Sequence, residues 1–364
     1  MKIAIFLGHP AQFHLFKHMA KNLRDKGHKV EFLVKRKDIL EKLVKDSGFD
    51  YTIVRKQERQ SSDTLTMICV VLKTAFNMLW YMLTRRPKII IGTYGSIFAK
   101  MVPIKFIVCN EDDASVVPKF AKLAYPNASV ILTPVSCDCG QWNDKAIKYA
   151  GFQKLAYLHP NVFTPDKSIV EKYFGKGYKP YVLMRFAKLN AHHDDGITGM
   201  TDQLAETVIE RLSTKYNVYI SSERPLTASL EKYRLHINLY DIHHLMAFAD
   251  LFVGDSQSMS VESALLGIPN IRFNSFAGRI GVLKELEEKY HLTIGISSDK
   301  PDVLLETIDN FIRTPEILDQ YKNNRQKLLQ DKIDVTQFLT WFVDNYPESS
   351  QIMKDNPDYQ YRFR

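Results

Sequence analysis

Four cysteines are too few, and two of them too close together, to organise this chain. Cys137-Asp138-Cys139 lacks the two-residue spacer of a zinc knuckle, and Cys69 and Cys109 supply no second pair, so a structural metal centre is not expected. Reduced thiols are the plain reading. The apolar opening Ile3-Ala4-Ile5-Phe6-Leu7 is too short for a secretory leader and stops at Gly8-His9-Pro10, so a cytoplasmic address is expected. No RNP, zinc-finger or basic-zipper pattern is present, which removes nucleic acid from the expected partners. Nor is there a close internal repeat. At 364 residues, 45% apolar and 25% charged, the chain is too long for one ordinary core, and two α/β domains are the default.

The charge that is present is uneven. Residues 1–100 hold 19 Lys and Arg against 8 Asp and Glu, +11, while residues 101–364 hold 30 against 33, −3. A basic half of this kind suits an anionic substrate or a membrane face, or is simply a solvated surface. "LTMICVVLKTAFNMLWYML" (65–83) is long and apolar, but Lys73 and Asn77 would lie near mid-bilayer in a spanning helix. Thr66, Lys73, Asn77 and Thr84 fall on one narrow polar stripe, so the pattern predicts a mostly buried helix, with membrane-surface contact second.

Strands and helices alternate through the chain. "KIAIFL" (2–7), "KVEFLV" (29–34), "YTIV" (51–54), "KIIIG" (88–92), "IKFIVCN" (104–110) and "SVILTP" (129–134) read as strands of a covered parallel sheet. "LHPNVFTPD" (158–166) reads as a linker. The pattern then restarts with "YVLMRF" (181–186), "NVYISS" (217–222), "RLHIN" (234–238), "LFVGD" (251–255) and "PNIRF" (269–273). The expectation is α/β: two doubly wound Rossmann-type domains facing a cleft, over 1–163 and 164–334. A helix at 335–345 would cross back to the first domain, and the tail from Pro347 is polar and uninformative. Ligands of such sheets bind outside the carboxyl ends of the strands.

One strand-end loop stands out. "GDSQSMSVESALLGIP" (254–269) places Ser256, Ser258 and Ser260 between a strand and a helix, with Glu262 about one turn in. A helix N-terminus with hydroxyls beside it suits a pyrophosphate, and a carboxylate further on suits a ribose; a plain N-cap at Ser258 and a surface glutamate would look alike. The wider stretch "ADLFVGDSQSMSVESALLGIP" (249–269) resembles the nucleotide-sugar segment of the GT-B superfamily. It is similar to the D-S-G-G-x-x-E-E-A-x-x-x-G-x-P pattern of UDP-N-acetylglucosamine 2-epimerases, with Asp255, Ser256, Glu262, Gly267 and Pro269 in register. The MurG-type N-acetylglucosaminyltransferases have a similar segment. The resemblance implies that backbone and hydroxyls at Ser256, Gln257 and Ser258 hold the diphosphate while Glu262 takes the ribose. Here Gln257-Ser258 replaces the Gly-Gly pair and Val261 the first Glu.

Other strand ends carry candidate chemistry. In "GHPAQFHLFKHMA" (8–20), His14 reads as an imidazole at the start of a helix, resembling the base histidine of many GT-B transferases, with His9 its rival. "CNEDD" (109–113) holds no Asp-x-Asp metal motif, and the resemblance to the epimerases, which carry an acid in the comparable loop, implies Glu111 as a candidate acid or base. "GTYGS" (92–96) occupies the loop where the epimerases keep a catalytic Asp, and none is present. In "MRFAKLNAHHDDG" (184–196), Arg185 is a candidate phosphate ligand, and His192 or His193 a candidate for proton transfer or for the leaving diphosphate. His243 and His244 read as structural, and the Tyr240-Asp241-Ile242 turn lies where related families read the nucleobase. "YLHPNVFTPD", "YVLMRF", "NAHHDD" and "VILTP" together resemble a GT-B-like family described as a domain of unknown function, from about residue 2 to 335.

The resulting expectation is a metal-independent glycosyltransferase, with no cofactor beyond its nucleotide-sugar substrate, acting in surface polysaccharide or glycolipid assembly. Its acceptor would be an anionic lipid or a saccharide, met by peripheral contact at the inner membrane face. The alternatives are a UDP-HexNAc 2-epimerase and a nucleotide-sugar binding protein without turnover.

Overall fold

The structure is a computed structural model that describes residues 1–36, 39–55, 64–92, 102–187, 199–275, 278 and 280–364, with backbone alone at 64–68, 70 and 71. It divides into two compact units, Met1–Tyr157 with Lys332–Arg364, and Leu158–Asp331.

The first unit runs β1 (Lys2–Leu7), α1 (Pro10–Asp25), β2 (Lys29–Lys35), α2 (Leu40–Asp46), β3 (Asp50–Arg55), α3 (Thr64–Arg85), β4 (Ile89–Gly92), β5 (Lys105–Cys109), α4 (Pro118–Ala124), β6 (Val130–Pro134), β7 (Ala146–Tyr149) and α5 (Leu155–Leu158), the last ending across the unit boundary. All seven strands pair in parallel, in the order β3-β2-β1-β4-β5-β6-β7. Burial of Ile3, Ala4, Ile5, Phe6 and Leu7 on both faces explains why β1 is apolar without alternation. The order reverses between β1 and β4, so their carboxyl ends lie side by side at a switch point.

The second unit runs α6 (Lys167–Phe174), β8 (Tyr181–Phe186), α7 (Asp202–Leu212), β9 (Asn217–Ser222), α8 (Ala228–Glu231), α9 (Ile242–Ala247), β10 (Leu251–Gly254), α10 (Gln257–Leu266), β11 (Asn270–Phe273), α11 (Gly281–Glu288), β12 (Ile294–Ile296), α12 (Pro301–Arg313) and α13 (Ile317–Asp331). Its parallel sheet is ordered β12-β11-β10-β8-β9, with the switch between β8 and β10. Val182, Met184 and Phe186 of β8 join the core beneath α7 and α12. Tyr181 and Arg185 point to the other face by alternation, where the Tyr181 hydroxyl donates to the Leu245 carbonyl of α9 at 2.5 Å.

The chain then returns to the first unit as α14 (Val335–Asp344) and α15 (Glu348–Asp355). Here α14 packs on α1, with Asn22 Nδ2 donating to Thr340 Oγ1 at 3.4 Å, Lys26 and His28 each 2.7 Å from the Asp344 carboxylate, and Phe338 against Tyr149. The tail that reads as uninformative is ordered too. A 3-10 turn at Pro357–Phe363 buries Gln360, whose Oε1 accepts the Ala150 N–H, and stacks Tyr359 and Phe363 on Trp341.

Two element readings need correction. "RLHIN" is not a strand: Arg234 makes an isolated bridge to Ile220, and Asn238 already caps the 3-10 turn Leu239–Asp241. The long helix α3 is not mostly buried. Met78, Tyr81 and Met82 face the sheet, and Asn77 of the polar stripe donates to the Val54 carbonyl at 3.0 Å. The outward face carries Leu72, Phe76, Trp80 and Leu83 instead, 54–65% exposed. Among the described residues no helix is long and apolar enough to cross a membrane.

Candidate functional site

At the second unit's switch point the backbones are drawn close. A Cβ on Gly254 would sit 2.5 Å from the Arg185 carbonyl oxygen, so only glycine lets β10 end against β8. The next residue fastens the two strand ends. Asp255 N–H donates to the Arg185 carbonyl at 3.2 Å, and its Oδ1 accepts the Ala187 N–H at 2.6 Å. Burial pushes the Asp255 carboxyl up to about 6, the nearby Arg224 and Arg185 offsetting only part of the desolvation. Asp255 is therefore turned inward, and the residues after it belong to α10.

Ser256, not Ser258, is the N-cap of α10: its Oγ accepts the Met259 N–H at 3.4 Å, and the helix begins at Gln257. The N–H groups of Gln257 and Ser258 stand in the first turn with no acidic side chain there, and Ser258 is exposed. Such a terminus offers donors and the positive end of the helix dipole to an anion. Gly267, in the left-handed conformation at φ 76°, ends the helix. Ser260 is buried and donates back to the Ser256 carbonyl at 3.0 Å, so it serves the helix rather than a ligand.

Glu262 lies in the second turn of α10, 9% exposed, with Oε1 3.4 Å from Nε2 of His243 on α9. The packing of α9 beside α10 brings His243, which reads as structural in the sequence, to this carboxylate. His244 differs: its Nδ1 accepts the Asp166 N–H at 3.0 Å and its ring lies on Phe163. Arg185, at the end of β8, donates to Ser221 Oγ at 2.7 Å and pairs with Glu223, while its buried Nε has no hydrogen-bond partner among the described residues. Tyr240 is 38% exposed in the turn that Asn238 caps. His192 and His193 lie outside the described residues.

In the first unit, α1 begins at Pro10, so the imidazole at its start is His9. His9 Nδ1 accepts the Ala11 N–H at 3.2 Å, which leaves the proton of the neutral ring on Nε2. His14 is the fifth helical residue, half-buried with its ring against Phe13 and Tyr157, beyond the first turn where a helix dipole acts most strongly. Glu111 is buried after β5, where it pairs with Lys154 and accepts the Gln153 N–H at 3.0 Å. That arrangement ties the loop after β5 to Gln153-Lys154. Among the described residues no three His, Cys, Asp or Glu gather as metal ligands do.

Comparison with known proteins agrees with this architecture. A family described as "Protein of unknown function (DUF354)" matches residues 1–335. A UDP-N-acetylglucosamine 2-epimerase is similar with a TM-score of 0.63 at 13% identity, over 100% of this chain and 96% of that one. MnaA of S. aureus, solved with UDP, gives 0.64 at 12% identity over 96% and 97%. The glycosyltransferase VinC, solved with dTDP, gives 0.58 at 11% over 94% and 99%. These likenesses are of the GT-B fold. No curated protein sequence matches.

Proposed function

The chain belongs to the DUF354 family, and from that membership and its GT-B fold we propose that it is a glycosyltransferase using a nucleotide-sugar donor. The observation that carries the reading is the N-terminus of α10 at the β8/β10 switch point, with Ser256 as cap and Glu262 in the next turn. In this reading the Gln257 and Ser258 N–H groups and the Ser258 hydroxyl bind the diphosphate, Arg185 adds its Nε–H, and Glu262 accepts the ribose hydroxyls. The acceptor oxygen bonds to the sugar C1 as the bond from C1 to the diphosphate breaks. The helix terminus and Arg185 take up the charge that develops on the leaving nucleoside diphosphate, without a metal. His14 receives the acceptor proton. A saccharide or lipid-phosphate acceptor, and a place in polysaccharide or glycolipid assembly, belong to the same proposal.

Calorimetric titration with UDP and dTDP tests the nucleotide site. Glu262→Ala is expected to weaken binding by about 10- to 100-fold through lost charge-assisted hydrogen bonds, and unchanged affinity would remove Glu262 from the site. His14→Ala is expected to lower turnover by about 10²–10⁴-fold with nucleotide binding intact. Free nucleoside diphosphate appearing only with an added acceptor favours transfer. Interconversion of two nucleotide sugars without acceptor would favour a 2-epimerase, and binding with neither outcome a non-catalytic protein.

A further inference from the structure

The outward face of α3 stands apart from every residue used above. Leu72, Phe76, Trp80 and Leu83 are 63%, 65%, 62% and 54% exposed, and Phe76 and Trp80 stack with centroids 6.4 Å apart. At spacings of four, four and three they form one stripe, about 16 Å long at 1.5 Å per residue. Four large side chains in line are a contiguous apolar patch of the kind that marks an interaction surface. Their orientation is fixed from behind, since Asn77 holds the Val54 carbonyl and the Tyr81 hydroxyl donates to Glu31 at 2.8 Å. The helix cannot roll over to bury them without breaking both bonds.

Charge identifies the occupant. Residues 64–88 contain no Asp or Glu, and Lys73, Arg85, Arg86 and Lys88 are all exposed around the stripe. Apolar and aromatic side chains on one face, with cations and no acidic residue within 64–88, describe a helix lying in a membrane interface, its face sunk about 5–10 Å. A protein partner fitted to this rim would itself need an acidic border around an apolar groove, whereas an anionic bilayer presents both properties everywhere. We propose that α3 docks the first unit on an anionic lipid bilayer, in the plane of the surface and without crossing it. The proposal does not rest on the nucleotide reading.

Co-sedimentation with phosphatidylcholine vesicles, with and without phosphatidylserine, tests it. The protein is expected to bind the anionic vesicles at low salt and to leave them at high salt. Phe76→Ser with Trp80→Ser is expected to weaken that binding by about tenfold or more, because the apolar face supplies the insertion. Lys73→Gln with Arg85→Gln and Arg86→Gln should weaken it by about a hundredfold at low salt, and stands in for the serine pair should that fold poorly. Retained UDP affinity in each variant separates this result from any failure of the nucleotide site. Cys69, the exposed thiol beside three buried ones, takes a spin label whose accessibility to oxygen should rise on anionic vesicles. Equal binding to neutral and anionic vesicles, no binding to either, or self-association that the serine pair abolishes would each overturn the proposal.

Discussion

Asp255 shows how a single carboxyl can be structural beside the proposed nucleotide site. Below about pH 3 it is protonated in folded and unfolded chains alike, and its shifted titration adds nothing to stability. As pH rises, the unfolded chain releases the proton first while the folded chain holds it to about 6. Stability therefore falls through that window, by on the order of 2–3 kcal/mol in all. Asp255→Asn keeps an oxygen for the Ala187 N–H and removes the titration. Urea unfolding should show the variant more stable at about pH 8, with the pH-dependent difference vanishing near pH 3; equal stability at both would mean that the carboxyl is not desolvated. His243 makes a different residue-scale case. If it positions Glu262, His243→Ala weakens UDP binding in the wild type and has no further effect in Glu262→Ala, a cycle that calorimetry can close. The hydroxyls of 254–269 were legible because a run of serines between strand and helix is unusual. His243 was not, because only the packing of α9 on α10 brings it to a residue 19 positions later.

At the scale of elements, α3 sets one face against the other. Asn77→Ala removes a bond to the Val54 carbonyl and leaves that group short of a partner, so a loss of about 1–2 kcal/mol is expected. Phe76→Ser on the solvent side should change unfolding by less than about 0.5 kcal/mol. Denaturant titration of the two variants checks both figures, and a large loss from the serine would mean that the outer face is covered in solution. This helix also shows where periodicity misleads. On the polar stripe Lys73 and Thr84 are exposed, yet Asn77 is spent on a strand-end carbonyl and large apolar residues also go outward. Strands fared better, because unbroken runs such as 2–7 and 88–92 have no reading except a sheet covered on both sides. The short β7 and β12 carry too few apolar residues to signal themselves, and "RLHIN" has the composition of a strand but serves a capped turn.

For the whole molecule, the alternation of strands and helices that builds the two parallel sheets was legible in the sequence, while the strand orders and the packing of the residues after Pro347 were not. The polarity of that tail hides a few well-placed anchors, Gln360 on Ala150 and the rings of Tyr359 and Phe363 on Trp341. Phe338 is fully buried, so Phe338→Ala is expected to cost about 3–5 kcal/mol. The loss should fall on the first unit alone. Calorimetry should resolve an early transition for that unit and a later one, unmoved, for residues 158–331; one shared transition shifted as a whole would mean that the units unfold together.

A unit assembled from residues 1–157 and 332–364 also has a history during synthesis. Its seven strands leave the ribosome first, but the helix that covers α1 is made only after the entire second unit. Domains usually complete in the order they are translated, at about 5–20 residues per second. Here the second unit has all its parts while the first waits some tens of seconds with the α14-facing side of α1 bare. That interval is when a nascent chain would need a chaperone, and moving the α14 segment ahead of residue 1 by circular permutation should remove the need.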